Sequence, residues 1–130
     1  MRAVVRKVNW SECPSGIARY TKQGQTFLTV GREYEVQALA VFNGFPALQV
    51  VDDLRQPSWE AGWLFDVVDT SVPEDWICNV FQEEPLLVLG PEFIARDRVS
   101  YGAMVELEAD QVDRFWKRLE GRKPPSEEEE

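Results

Sequence analysis

Carboxylates are the side chains of this chain whose spacing could support chemistry. Asp52 and Asp53 are adjacent, and Asp66, Asp69, Glu74 and Asp75 lie close together later in the sequence. Carboxylate oxygens are preferred ligands of hard divalent cations, and paired carboxyl groups serve as acid and base in glycoside hydrolysis. Adjacent strand residues point to opposite faces, so Asp52 and Asp53 cannot share an ion unless a turn reorients one of them. The sequence therefore favours a solvated acidic edge, and no metal or other cofactor is predicted.

Histidine is absent from the sequence. It is the commonest general acid or base near neutral pH and the commonest metal ligand. Its absence excludes Ser-His-Asp and Cys-His nucleophile systems and argues against the usual zinc sites. Enzymes built on carboxylates or lysine alone remain open. We therefore predict a binding protein and not an enzyme.

The chain contains five tryptophans. Trp76 and Trp116 lie in apolar stripes with helical spacing and are predicted to belong to the core. Trp59 and Trp63 flank Glu60-Ala61-Gly62, a turn-like tripeptide beside the acidic residues. Large amphipathic aromatic side chains are enriched at binding hot spots, although packing inside the fold is the alternative for this pair. We predict a partner-binding surface made of Trp59, Trp63, Asp52, Asp53, Glu60 and Asp66.

The net charge of −9 is distributed unevenly along the chain. Residues 36–95 carry ten acidic side chains and one basic side chain, whereas residues 1–35 carry three acidic and six basic ones. A negative surface favours a basic protein partner and disfavours nucleic acid. The apolar runs are too short for a signal peptide or a membrane span, so we predict a cytoplasmic protein without membrane contact.

Several runs have the alternation that is typical of strands. The runs 34–42 and 47–51 flank Asn43-Gly44, a dipeptide suited to a tight turn because both residues tolerate positive φ. They predict an antiparallel hairpin. Further strands are predicted for 63–68 and 86–89.

The later part of the chain mixes helical and strand-like patterns. Pro73 and the helical spacing that follows it predict a short helix through about Phe81. Residues 101–107 alternate and predict a strand. Asp110 is the predicted N-cap of an amphipathic helix that ends at Gly121.

The run from Leu28 to Asp69 resembles the small SH3-like β-barrel modules common in bacterial and phage proteins. The likeness rests on an apolar-x-x-Gly-x-x-Tyr-x-Val entry, an acidic turn and a short closing segment, namely Leu28, Gly31, Tyr34, Val36, Asp52-Asp53, Trp63, Leu64, Phe65 and Val67. It implies a partly open barrel whose loop aromatics line a peptide groove. The predicted fold is therefore α+β: a small, bent antiparallel sheet forming a partly open SH3-like barrel, with one short inserted helix and a C-terminal amphipathic helix.

Residues 1–123 are predicted to form one globular domain, and residues 124–130 a disordered acidic tail. The function we predict is that of a non-catalytic protein-binding module whose acidic surface recognises a basic partner. In size, acidity and lack of catalytic residues the chain is similar to bacterial immunity proteins and to phage accessory proteins. One alternative is a structural subunit that forms a homo-oligomer. Another is a carboxylate-based hydrolase or a small-ligand binder.

Overall fold

The computed structural model describes residues 1–18 and 26–122, so the predicted tail at 124–130 lies outside the described residues. Within them the chain is α+β, as predicted. In chain order the strands are β1 (Arg2–Val5), β2 (Glu33–Glu35), β3 (Ala38–Phe42), β4 (Phe45–Val51), β5 (Pro57–Ala61), β6 (Phe65–Asp69), β7 (Trp76–Phe81) and β8 (Leu86–Pro91), and the α-helices are α1 (Ser15–Ala18), α2 (Glu92–Ala95), α3 (Arg98–Val105) and α4 (Ala109–Arg122).

The strands form two antiparallel sheets that do not close into a barrel. The smaller sheet has the order β2-β1-β6, and the larger has the order β5-β4-β3-β8-β7. The predicted hairpin is confirmed for β3 and β4, where Asn43 and Gly44 adopt φ angles of 50° and 83°. The strand predicted over 34–42 is divided, because the chain leaves the smaller sheet after β2 and enters the larger one at Ala38.

Residues 76–81 form a strand and not the predicted short helix. Their apolar residues fit a helical spacing, but a run of six residues is too short for periodicity to distinguish the two. Ile77 and Val80 are β-branched, which favours a strand. The run pairs with β8 along its whole length. The predicted inserted helix is therefore wrong at this position, and short helices occur instead after β8.

The strand predicted over 101–107 is also wrong, because α3 spans Arg98 to Val105. Asp97 caps this helix, and its Oδ1 accepts a hydrogen bond from the backbone N–H of Ser100 at 2.7 Å. Met104 is fully buried in one cluster with Ile94 and Ala95 of α2. Capping and burial against α2 thus outweigh the apolar alternation in this segment.

Two hydrophobic clusters lie on opposite faces of the larger sheet. Leu48 and Val50 point towards the smaller sheet and belong to the first cluster. Ala40 and Val88 point the other way and pack with α2, α3 and α4 in the second cluster. Strand alternation produces this division, since successive side chains lie on opposite faces.

The C-terminal amphipathic helix is confirmed as α4, with two corrections. It begins at Ala109, so Asp110 lies in its first turn. Phe115 is 3% exposed and packs in the second cluster, whereas Trp116, predicted to be core, is half-buried. Among the residues the structure describes, no helix has both the length and the apolarity needed to cross a membrane.

Candidate functional site

Asp52 holds the turn between β4 and β5. Its Oδ1 accepts hydrogen bonds from the backbone N–H groups of Leu54 at 2.9 Å and Gln56 at 3.0 Å. The side chain replaces backbone acceptors in a tight turn, as aspartate often does. Because the residue is only 8% exposed, its carboxylate supports the fold and is poorly placed to contact a partner.

Asp53 connects this turn, through hydrogen bonds and an ion pair, to β2 and to the segment that precedes it. It accepts hydrogen bonds from the hydroxyls of Thr29 and Tyr34, both at 2.6 Å, and pairs with Arg32 at 2.9 Å. These donors hold the pKa of the Asp53 carboxyl below its ordinary value, the Thr29 hydrogen bond most strongly. Its oxygens are already engaged, so this carboxylate also has a structural role.

Glu60 and Asp66 differ sharply in exposure. Glu60 is 7% exposed and accepts a hydrogen bond from the Ser58 hydroxyl at 2.6 Å. Burial raises the pKa of the Glu60 carboxyl, and the charge of Asp52 adds to the rise. Asp66 is exposed on the smaller sheet, and Asp53 is the other exposed acid of the predicted set.

The two predicted tryptophans lie in different parts of the fold. Trp63 packs edge-on against Trp10, with ring centroids 5.4 Å apart, beside the first cluster. Trp59 packs edge-on against Tyr101 of α3 at 5.6 Å, beside the second cluster. The six residues predicted from the sequence therefore do not meet on one surface, and of these six only Trp59 and Glu60 line a cavity beside α3.

A cavity of about 700 Å³ lies between the larger sheet and α3. Its sheet side is formed at the tip of the β3–β4 hairpin and by the strands beside it. Cross-strand pairing puts Phe42 opposite both Phe45 and Leu86, so these side chains share one face. The helix side includes Val99, Tyr101 and Val105, and both sides are predominantly apolar.

Small residues leave the room for this cavity. Ala47 and Ala61 face each other on β4 and β5, and Gly102 and Ala103 lie across from them on α3. Protein interiors are normally packed without voids of this size, so the helix layer does not fully cover this end of the sheet. The resulting volume falls within the range of small-molecule and cofactor sites.

Charged residues border the mouth of the cavity. Arg98 forms an ion pair with Glu84, and its guanidinium lies 5.4 Å from the ring centre of Tyr101. Glu106 and Glu108 also line the cavity and are exposed. With Arg98 paired to Glu84, the two further glutamates make the mouth negative.

Sequence reasoning found Trp59 but missed the α3 side of the cavity. The alternation of residues 101–107 predicts a strand, which would place Tyr101 and Val105 on a sheet face. The signal that could have located α3 was Asp97 itself, a favoured N-cap residue type directly before the helical segment.

In the described part of the chain, no three His, Cys, Asp or Glu side chains are grouped so that they could hold a metal ion. No protein family, no curated protein and no solved structure matches this chain.

Proposed function

We propose that the chain is a non-catalytic protein-binding module that takes an apolar segment of a basic protein partner into the cavity beside α3. The cavity itself carries the proposal. Its rim holds exposed apolar side chains, since Val99 is 81% exposed and Val105 is 46% exposed. Exposed apolar groups around a concave site are the usual feature of a docking surface.

The charge around the cavity supports a basic partner. Glu106 and Glu108 lie at the mouth, and the whole chain has a net charge of −9. Complementary charge speeds association and excludes acidic competitors. An apolar segment flanked by lysine or arginine would bury its apolar side chains in the cavity while its cations meet these glutamates.

The location differs from the surface predicted from the sequence. Asp52 and Asp53 hold a turn, and Trp63 packs beside Trp10. The SH3-like resemblance of residues 28–69 remains part of the proposal, supported by the order of hairpin, acidic turn and closing strand β6. An immunity or phage accessory role likewise remains a proposal, supported by size and acidity.

Two labelled synthetic peptides test the site. Both carry the same apolar core, flanked by lysines in one and by glutamates in the other. We expect the lysine peptide to bind more tightly and to weaken as salt is raised, because exposed charges are screened. The double variant Ala47→Leu/Ala103→Leu fills the cavity and should abolish binding, whereas Ala109→Leu, at an exposed position outside it, should not.

Equal binding of the two peptides, or undiminished binding by the filled variant, would show that the cavity is not the docking site. A matched pair of charge reversals separates local from overall charge. Glu106→Lys/Glu108→Lys should slow association with the lysine peptide. The control Asp66→Lys/Glu74→Lys changes the net charge by the same amount, but at exposed positions that do not line the cavity. It should slow association less. Turnover of a substrate by the purified protein would contradict the non-catalytic assignment.

A homo-oligomer is the second candidate, and β6 is the feature that favours it. Val67 and Val68 are exposed on this strand, which is an end strand of the smaller sheet. An exposed apolar end strand can pair with the same strand of a second copy. Sedimentation over a range of concentrations tests this candidate: a constant monomer mass excludes it, and Val68→Lys should dissociate any oligomer that forms through β6.

A further inference from the structure

Three buried polar atoms lie beside the cavity without a hydrogen-bond partner among the described residues. They are the amide oxygen and amide nitrogen of Gln49 and the indole nitrogen of Trp59. Gln49 is 0% exposed, so water does not solvate its amide from the surface. Buried polar groups are nearly always paired, so a cluster of three unpaired atoms requires an explanation.

The sheet register places this cluster at the cavity. Ala47 is opposite Ala61, and Gln49 is opposite Trp59 in the next pair that shares the same face. Three members of these two pairs, Ala47, Ala61 and Trp59, line the cavity, and Gln49 does not line it but lies directly beside Trp59. Gln49 therefore lies beside Trp59 on the face of the sheet that borders the cavity, one same-face pair farther from the hairpin tip than Ala47.

The hydrogen-bonding capacity of the cluster defines what would satisfy it. The Trp59 indole offers one donor, and the Gln49 amide offers two donors and an acceptor oxygen. A carboxylate has no donor for the Gln49 oxygen and would also be repelled by Glu106 and Glu108 at the mouth. A neutral amide supplies an oxygen that accepts from the indole and an N–H that donates to the Gln49 oxygen.

We propose that the group that enters the cavity presents a neutral amide to Gln49 and Trp59, with its apolar part against the aromatic walls. This inference rests on the proposed function, since a protein partner carries an amide at every peptide bond. Contact with these atoms requires the Trp59 ring to move, because its indole nitrogen and the Gln49 amide are buried. The cavity thereby selects for an amide in addition to an apolar surface.

The experiment compares benzamide with cumene, an apolar molecule of nearly the same shape, by ¹H–¹⁵N NMR of the tryptophan indoles. Trp59→Phe assigns the Trp59 signal by its disappearance. We expect benzamide to bind more tightly and to move the Trp59 indole proton downfield, as a new hydrogen bond does. Trp76 is the internal control, because its indole nitrogen is also unpaired among the described residues but belongs to the cluster between the sheets.

The variant Gln49→Met keeps the side-chain length but removes both amide atoms. It should reduce the preference for benzamide over cumene by about tenfold, and it should not lower the melting temperature, because it removes unpaired buried polar groups. Equal affinity for the two probes in the unmodified chain, or an unchanged preference in the variant, would overturn the amide assignment while leaving an apolar cavity site intact.

Three other outcomes are also decisive. A loss of stability in Gln49→Met would show that the Gln49 amide is already satisfied in the free protein, which overturns the inference. A persistent nuclear Overhauser effect between water and the Trp59 indole that benzamide does not remove would overturn it in the same way. Binding of neither probe would count against the cavity and therefore against the proposed function as well.

Discussion

The phenolic hydroxyl of Tyr34 donates a hydrogen bond of 2.6 Å to Oδ1 of Asp53. Tyr34 lies on β2 in the smaller sheet, and Asp53 lies in the turn between β4 and β5 of the larger sheet. The same phenolic oxygen accepts from the backbone N–H of Thr29 at 2.9 Å. One side chain thus fastens the two sheets and the segment leading into β2 at a single point.

Tyr34→Phe should lower the free energy of unfolding by about 1–3 kcal/mol, because it removes two hydrogen bonds that each contribute about 0.5–1.5 kcal/mol. The Thr29 N–H loses its acceptor and the Asp53 carboxylate loses one donor. Chemical denaturation measures the difference. Tyr101→Phe is the matched control, since no hydrogen bond of the Tyr101 hydroxyl to another described residue is found, and an equal loss in both variants would contradict this role of Tyr34.

Asp53→Asn should destabilise the protein at neutral pH but not in acid. The donors around Asp53 lower its pKa in the folded state, so the stabilisation is present above the pKa of an unfolded aspartate, about 3.9. It is lost as the pH falls through the lowered folded value. Unfolding measured as a function of pH should show the two proteins converging at low pH, and a constant difference would refute the linkage.

Glu60→Gln should stabilise the protein at neutral pH, the opposite of the effect expected for Asp53→Asn. Burial raises the pKa of Glu60, so the folded protein holds this proton more tightly than the unfolded chain does. The unmodified protein therefore loses stability as the pH rises from below the unfolded pKa through the raised folded value. At neutral pH the glutamine variant should be the more stable of the two, with the difference fading in acid, whereas the exposed control Asp66→Asn should change little.

Some of the fold follows from local sequence, and the rest depends on contacts that the sequence does not display. Asn43-Gly44 specifies its hairpin because few other residue pairs accept two positive φ angles. The run 76–81 has apolar residues that fit either a helix or a strand, and as a strand it pairs with β8 along its whole length. The strand predicted over 34–42 is interrupted at Val36 and Gln37 because β2 pairs with β1, a strand that is far away in sequence.

The candidate site likewise depends on contacts that cannot be predicted from the local sequence. Trp59 is recognisable from its residue type. Its neighbour Tyr101 lies on a helix, whereas the alternation of residues 101–107 predicts a strand there. Charge counts placed Asp52 and Glu60 on an acidic surface, yet one closes a turn and the other is buried beside Ser58. Composition reports how many acids a segment contains and not which of them face water.

Phe115→Ala should cost about 3–5 kcal/mol of unfolding free energy, the range found for deleting a buried aromatic side chain. Trp116→Ala should cost distinctly less, because Trp116 is half-buried although it is the larger residue. Thermal or chemical denaturation of the two variants gives the order directly. The reverse order would mean that α4 is rotated about its axis relative to the sheet.

The pairing of β1 with β6 has a consequence for how the chain folds. Ala3 pairs with Val67, whereas β4 pairs on both sides with strands next to it in sequence, β3 and β5. Joining ends that are far apart costs more chain entropy than closing a two-residue turn, so distant pairings tend to form late. We expect folding rates to respond to Val50→Ala and hardly at all to Val5→Ala, whose effect should fall on the unfolding rate. During synthesis β1 is made before β6, so it must wait unpaired on its β6 side until residues 65–69 have left the ribosome.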